Sequence, residues 1–128
     1  MNKRKVDSLI PEAYCVLKEV GIADKSGKID KGLRGQISSF GASVSTGSLL
    51  AAISFFSARG GAAVPRELLM QAIGKLIQQD DLFAYVQKAG ERRAKEEIIN
   101  AAIALKLAMN LYELWEGERY AKSELSPE

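Results

Sequence analysis

The stretch ERRAKEEIINAAIALKLAMNLYELWEGERY, residues 91–120, contains no proline and carries apolar side chains at Ile98, Leu105, Met109, Tyr112 and Trp115, with Ile99, Ala102, Ile103 and Leu111 beside them. Steps of three, four and seven residues return to one side of a helix with 3.6 residues per turn. The spacing predicts a long closing helix from about Glu91 to Tyr120. Gly90 just before it closes a shorter helix, with Leu82, Phe83, Tyr85 and Val86 as its apolar residues and Asp80 or Asp81 as N-cap.

The same pattern continues toward the N-terminus. Pro65 is placed as the first residue of a fourth helix, whose stripe is Leu68, Leu69, Ala72, Ile73, Leu76 and Ile77, and Gly60-Gly61 is a turn before it. A third helix, Leu49 to Ala58 with Thr46 or Ser48 as cap, is apolar nearly all round, which places it at the centre of the core. A second begins near Ile29 or Asp30 and repeats Leu33, Ile37, Phe40 and Val44 along one side. Gly35 and Gly41 weaken it by roughly 1 kcal/mol each relative to alanine and let a neighbouring backbone come close. The first helix is expected from Asp7 or Ser8 to Val20, with Pro11 in its first turn, a face of Leu9, Ala13, Val16, Leu17 and Val20, and Gly21 as its stop. Residues 23–30 read as a loop. No run alternates in the manner of a strand, so the expected fold is all-α: a compact bundle of five or six helices in a single domain, residues 1–128, with short flexible ends at about 1–5 and 121–128.

With 128 residues the chain has the usual length of one domain and can build a core without disulfides or metal. Cys15, the lone cysteine, is read as a buried thiol among Val16 and Leu17. With no apolar run of signal-peptide length behind the N-terminal Met-Asn-Lys-Arg-Lys, the expected compartment is the cytoplasm. The uncharged stretch from Gly35 to Ala58 is half Ser, Thr, Gly and Gln, so it lacks the continuous apolar run of about 20 residues that spans a membrane.

Chemistry is sparse. There is no histidine, which removes imidazole acid–base catalysis, Ser-His-Asp triads and histidine-ligated metals. One cysteine cannot hold zinc or an iron–sulfur cluster, and the glycines at Gly27, Gly32 and Gly35 lack the GK[ST] ending of a phosphate loop. The pairs Asp80–Asp81 and Glu96–Glu97 sit where helix starts favour acids. No enzyme, no cofactor and no small-molecule substrate are expected.

The basic residues are more informative. The net charge of +2 conceals a gradient: residues 1–34 hold eight basic and five acidic side chains, whereas residues 80–128 hold seven and ten. Lys28, Lys31 and Arg34 recur every third residue at the start of the second helix. Arg59 and Lys75 stand alone in an otherwise nearly uncharged middle. Arg92, Arg93 and Lys95 open the last helix, where the dipole disfavours cations. Lys106 interrupts Ala101-Ala102-Ile103-Ala104-Leu105 and Leu107-Ala108-Met109. Each group has two open readings. Arg92 and Arg93 either pair with Glu96 and Glu97 or meet phosphate, and Lys106 either snorkels to water or projects from a packed platform toward an anion.

The run Gly47-Ser48-Leu49-Leu50-Ala51-Ala52-Ile53-Ser54-Phe55-Phe56, followed downstream by Leu82 and Tyr85 and then Ala104-Leu105-Lys106, resembles the small all-helical subunit of the type III-B CRISPR effector, the Cmr complex. The resemblance extends over roughly residues 6 to 116. Ala104 and Leu107 depart from it, since family members often carry tryptophan and arginine there. The resemblance implies a non-catalytic subunit that stacks along the filament of larger backbone subunits, beside copies of itself. A basic surface would line the channel where guide RNA pairs with target RNA. On that reading the RNA-binding residues are Lys28, Lys31, Arg34, Lys75, Arg92, Arg93 and Lys106. A small subunit of another CRISPR effector type, or a helical adaptor that binds only protein, remains open as an alternative.

Overall fold

Asn2 accepts a hydrogen bond from the Lys5 N–H through its side chain and donates its own N–H to Asn100 Oδ1 at 3.0 Å, and on this anchor the first helix, α1 (Lys3–Glu19), is built. The computed structural model describes residues 1–58 and 65–115. Helix α1 starts earlier than the sequence reading placed it, because that tertiary bond fixes an N-cap ahead of Asp7 and Ser8. Pro11 therefore lies inside the helix rather than in its first turn. Asp7 and Pro11 are both exposed, so the carbonyl deprived of its donor faces water. The buried face is Val6, Ala13, Val16 and Leu17. Cys15 is exposed, a correction to the expected buried thiol: it falls one position off that face.

Gly21, at φ +87°, ends α1, and the chain enters a polar turn organised by Asp24. Its carboxylate accepts the Lys28 N–H at 2.9 Å, the Ser26 hydroxyl at 2.8 Å and the Ser26 N–H at 2.9 Å. These bonds, that from Lys28 foremost, hold the Asp24 carboxyl below its ordinary value.

The turn leads into β1 (Lys28–Asp30), then α2 (Lys31–Thr46), α3 (Leu49–Ser57), α4 (Glu67–Ile77), α5 (Leu82–Ala89), α6 (Glu91–Met109) and β2 (Glu113–Trp115). The fold is all-α, with six helices among the described residues and one short parallel pair of strands. Strand β1 lies against β2 in the register Lys28 with Glu113, Ile29 with Leu114 and Asp30 with Trp115. The strands correct the sequence reading in two places. Part of the expected loop is β1, and the last helix stops at Met109, where the helical stripe was carried on through Tyr112 and Trp115. Tyr112 is instead held by its hydroxyl, which donates to the Tyr14 carbonyl at 2.6 Å, and by a stacked Tyr14 ring with centroids 4.5 Å apart. The Gly60-Gly61 turn, Arg59 and the remainder of the expected last helix lie outside the described residues.

Helix α4 begins at Glu67, two residues later than the Pro65 start expected from the sequence, and neither it nor α6 has a side-chain cap; local chemistry accounts for several other boundaries. Asp30 caps α2 through Gly32 N–H at 2.7 Å, Ser48 caps α3 through Ala51 N–H at 3.1 Å, and Asp81 caps α5 through Ala84 N–H at 3.1 Å. Helix α4 ends with Gln78 in the left-handed region (φ 61°, ψ 43°), and Gln79 N–H returns to the Gly74 carbonyl at 2.8 Å.

Helix α6 is the axis of the core: α1, α2, α4 and α5 all pack on it. Ala94, Ile98, Ala101, Ala104, Leu105, Ala108 and Met109 are fully buried along it, and its alanines let neighbouring helices come close. The α2 face of Leu33, Ile37, Phe40 and Val44 is buried as its spacing requires, with Phe40 edge-on to Phe56. Helix α3 is not central. Leu49, Ala52, Ile53 and Phe56 are buried, but Phe55 is 59% exposed, and Phe83 on α5 is 44% exposed. No helix among the described residues is long and apolar enough to cross a membrane.

Candidate functional site

Arg34 sits one turn into α2, and its Nε donates to Asn110 Oδ1 at 3.1 Å, tying the start of α2 to the end of α6. Lys106 precedes Asn110 by four residues and so shares its helix face. It lies in a concavity with Ser38, which is itself four residues past Arg34 and bonded to the Arg34 carbonyl at 3.3 Å. Lys31 is the exposed first residue of α2, and Lys28 stands in β1 just before it. Lys28, Lys31, Arg34 and Lys106 therefore surround one junction, where α2 begins and α6 ends.

Lys28 is not on the second helix, where its three-residue spacing placed it. The extended backbone of β1 carries its ammonium 5.7 Å from the centre of the Trp115 ring, a cation–π contact between the two strands. No ion pair between these four cations and a carboxylate is present among the described residues, although Glu113 stands opposite Lys28 in the strand register. Lys31 and Arg34 also lie in the first turn of α2, where the Asp30 carboxylate at the N-cap is the one acid and offsets the positive end of the dipole.

The other expected cations are elsewhere. Lys75 does not stand alone: its ammonium is 3.9 Å from Glu19 Oε1, an exposed pair of small energetic weight. Arg93 meets Glu97 at 3.7 Å, as the i,i+4 spacing suggested. Arg92 and Arg93 open α6, about 20 Å from Lys106 at 1.5 Å of rise per residue, so they do not join the junction. Arg59 lies outside the described residues.

The carboxylate pairs also have visible roles. Asp81 caps α5, while Asp80 lines an open concavity with Glu67, Ile53, Met70 and Phe83. Glu97 accepts the Tyr85 hydroxyl at 2.5 Å, and this bond, together with burial, raises the Tyr85 phenol above its ordinary value. No group of three His, Cys, Asp or Glu side chains that could hold a metal ion is present among the described residues.

One buried cation escaped the sequence reading. Arg66, at the N-terminus of α4, is only 8% exposed, with its guanidinium carbon 4.1 Å from the centre of the Phe55 ring and 5.6 Å from that of Phe56. Its buried Nε has no hydrogen-bond partner among the described residues. The one signal in the sequence is the Phe55-Phe56 pair, which offers a π-face to a cation without saying which cation takes it.

No protein-family model matches the chain, and neither curated proteins nor solved structures give a match to it.

Proposed function

We propose that this protein is a non-catalytic structural subunit of an RNA-guided, RNA-targeting effector of the Cmr type. It stacks along a filament of backbone subunits, beside further copies of itself, and presents basic side chains to the guide–target RNA. The observation that carries the reading is the junction of Lys28, Lys31, Arg34 and Lys106, cations from two helices and a strand with no carboxylate ion pair among the described residues. The helix order and the Gly47–Phe56 run supply the resemblance on which the choice of complex rests.

Within this reading Lys31, Arg34 and Lys106 meet phosphates rather than bases. A channel that accepts any target sequence must be held through groups carrying no sequence information. The exposed aromatics Phe55 and Phe83 lie on α3 and α5, away from the junction, and the one ring at the junction, Trp115, already has the Lys28 ammonium over its face, so stacking on bases is the lesser contribution there.

Each phosphate contact releases condensed counterion. Replacing Lys31, Arg34 or Lys106 singly by alanine is therefore expected to flatten the log–log salt dependence of single-strand RNA binding by about 0.7 per residue. The loss should be equal for unrelated sequences. The measurement is RNA affinity of the assembled complex at several salt concentrations. Unchanged slopes and affinities in all three variants would leave the protein-only adaptor as the better account.

A further inference from the structure

Helices α2 and α6 leave an open groove between them, of about 220 Å³, lined by Ile37, Ser38, Gly41, Ala42 and Ser45 on one side and by Ile99, Ala102, Ile103 and Lys106 on the other. Both walls have the same spacing. Ser38, Gly41, Ala42 and Ser45 fall at i, i+3, i+4 and i+7 of α2, and Ile99, Ala102, Ile103 and Lys106 fall at the same intervals on α6. The α6 wall is continued by Leu107, four residues after Ile103 and 42% exposed.

Gly41 is the informative residue. It sits in the middle of a helix, where glycine is unfavourable, yet its φ is ordinary and a Cβ built on it would meet nothing within 4 Å. Neither backbone conformation nor packing within the described chain calls for glycine there. The bare backbone leaves the groove open at this point.

We infer that this groove is the docking site for an acidic amphipathic helix of a partner protein, with an aliphatic ridge that seats between Gly41 and Ile103. The concavity is smaller than the roughly 300–1,000 Å³ typical of small-molecule sites, and it is a trough between two helices, the shape taken by i, i+3/i+4, i+7 anchors. Its charge selects the partner. No carboxylate lines it, Lys106 stands on its rim, and helical spacing puts Lys95 beyond Ile99 and Arg34 beyond Ser38 at its ends. Glu96, three residues before Ile99, is the acidic side chain nearest by spacing. RNA is a poorer occupant, because the lining is largely aliphatic, contains one cation and includes no aromatic ring. The inference does not rest on the RNA reading and competes with it for Lys106 and Arg34, which cannot meet an acidic helix and RNA phosphates at the same time.

The test is a titration of the full chain, followed by NMR, with a synthetic helical peptide of about 18 residues, or five turns. The peptide carries leucine at i, i+4, i+7 and i+11 and glutamate on the flanks, with a lysine-flanked version as control. The acidic peptide should shift Ile37, Gly41, Ile99 and Ile103, and the lysine version should bind at least about tenfold more weakly, as like-charge contacts across an interface oppose association. Gly41→Leu should weaken the acidic peptide at least about tenfold while melting no lower than the parent, and Ser45→Leu, at an exposed position, provides a second block. Lys106→Glu should narrow or reverse the preference between the peptides. Equal binding of both peptides, no binding of either, or full binding to both blocked variants would overturn the inference. So would a self-association abolished by Gly41→Leu, or groove shifts produced by a uridine oligonucleotide of about 20 nucleotides and lost in the same variant.

Discussion

Replacing Phe40 by alanine is expected to destabilise the protein by about 3–5 kcal/mol, the largest effect of any single core truncation in the α2–α3 layer. Phe40 is fully buried at the point where α2 meets α3, and its ring lies 5.3 Å from that of Phe56 at an interplanar angle of 81°. Truncation removes the buried ring and the edge-to-face contact together and leaves a cavity between two rigid helices. Little can collapse into it, because Ile37, Val44, Leu49 and Ile53 around it are already buried on their own helix faces. For a domain of this size the loss corresponds to a fall in melting temperature of about 10–20 °C. Denaturant midpoints measured beside those of Phe55→Ala settle the comparison. Phe55 is 59% exposed and should give much less, although its ring also covers the Arg66 guanidinium.

The second large effect is expected from a change that adds atoms. Gly74 is buried in α4, and a Cβ built there would lie 2.5 Å from the Gln79 carbonyl oxygen, closer than real contacts allow. The cause is the helix end. Gln78 turns left-handed and folds the next residue back over α4, with Gln79 N–H bonded to the Gly74 carbonyl. Gly74→Ala must push this backbone turn away. The turn runs directly into Asp81, whose carboxylate caps α5. We expect roughly 2–3 kcal/mol of destabilisation, in the range of overpacked sites. The amide of Ala84, the residue capped by Asp81, should exchange faster in the variant. A stable Gly74→Ala protein with unchanged exchange at Ala84 would contradict this account of the α4–α5 corner. Gly41→Ala, with open space at its Cβ, should do the opposite and stabilise by up to about 1 kcal/mol.

These two sites also illustrate what the sequence can and cannot convey. Phe40 was legible as core because Leu33, Ile37, Phe40 and Val44 return to one helix face, and Ser48 and Asp81 are each one of the two caps that the sequence offered for their helices, whereas Asp30 was legible as a helix start and not as its cap. On α3 the same reasoning had nothing to discriminate with. A helix apolar on nearly every side has no periodicity to say which face is buried, so Phe55 reads as core and is in fact exposed. The end of α6 was illegible for a different reason. Residues 109–115 contain no proline or glycine, and their apolar spacing suits a helix. They leave the helix because Glu113 N–H donates to the Gly27 carbonyl at 3.0 Å and Ile29 pairs with Leu114, partners far away in sequence. The same distance effect governs the charges. The i,i+4 pair of Arg93 and Glu97 could be read directly, whereas the Lys75–Glu19 pair and the Arg34–Asn110 bond join residues that only the fold brings together.

The central claim is that this protein works as an RNA-lining subunit of a guide-RNA complex, and the most direct measurement is to tag the chain in its native cells, purify it under non-denaturing conditions and identify what accompanies it. The account predicts larger backbone subunits in stable stoichiometry, together with guide RNA. Recovery of protein partners free of such RNA, from cells that contain the guides, would contradict it.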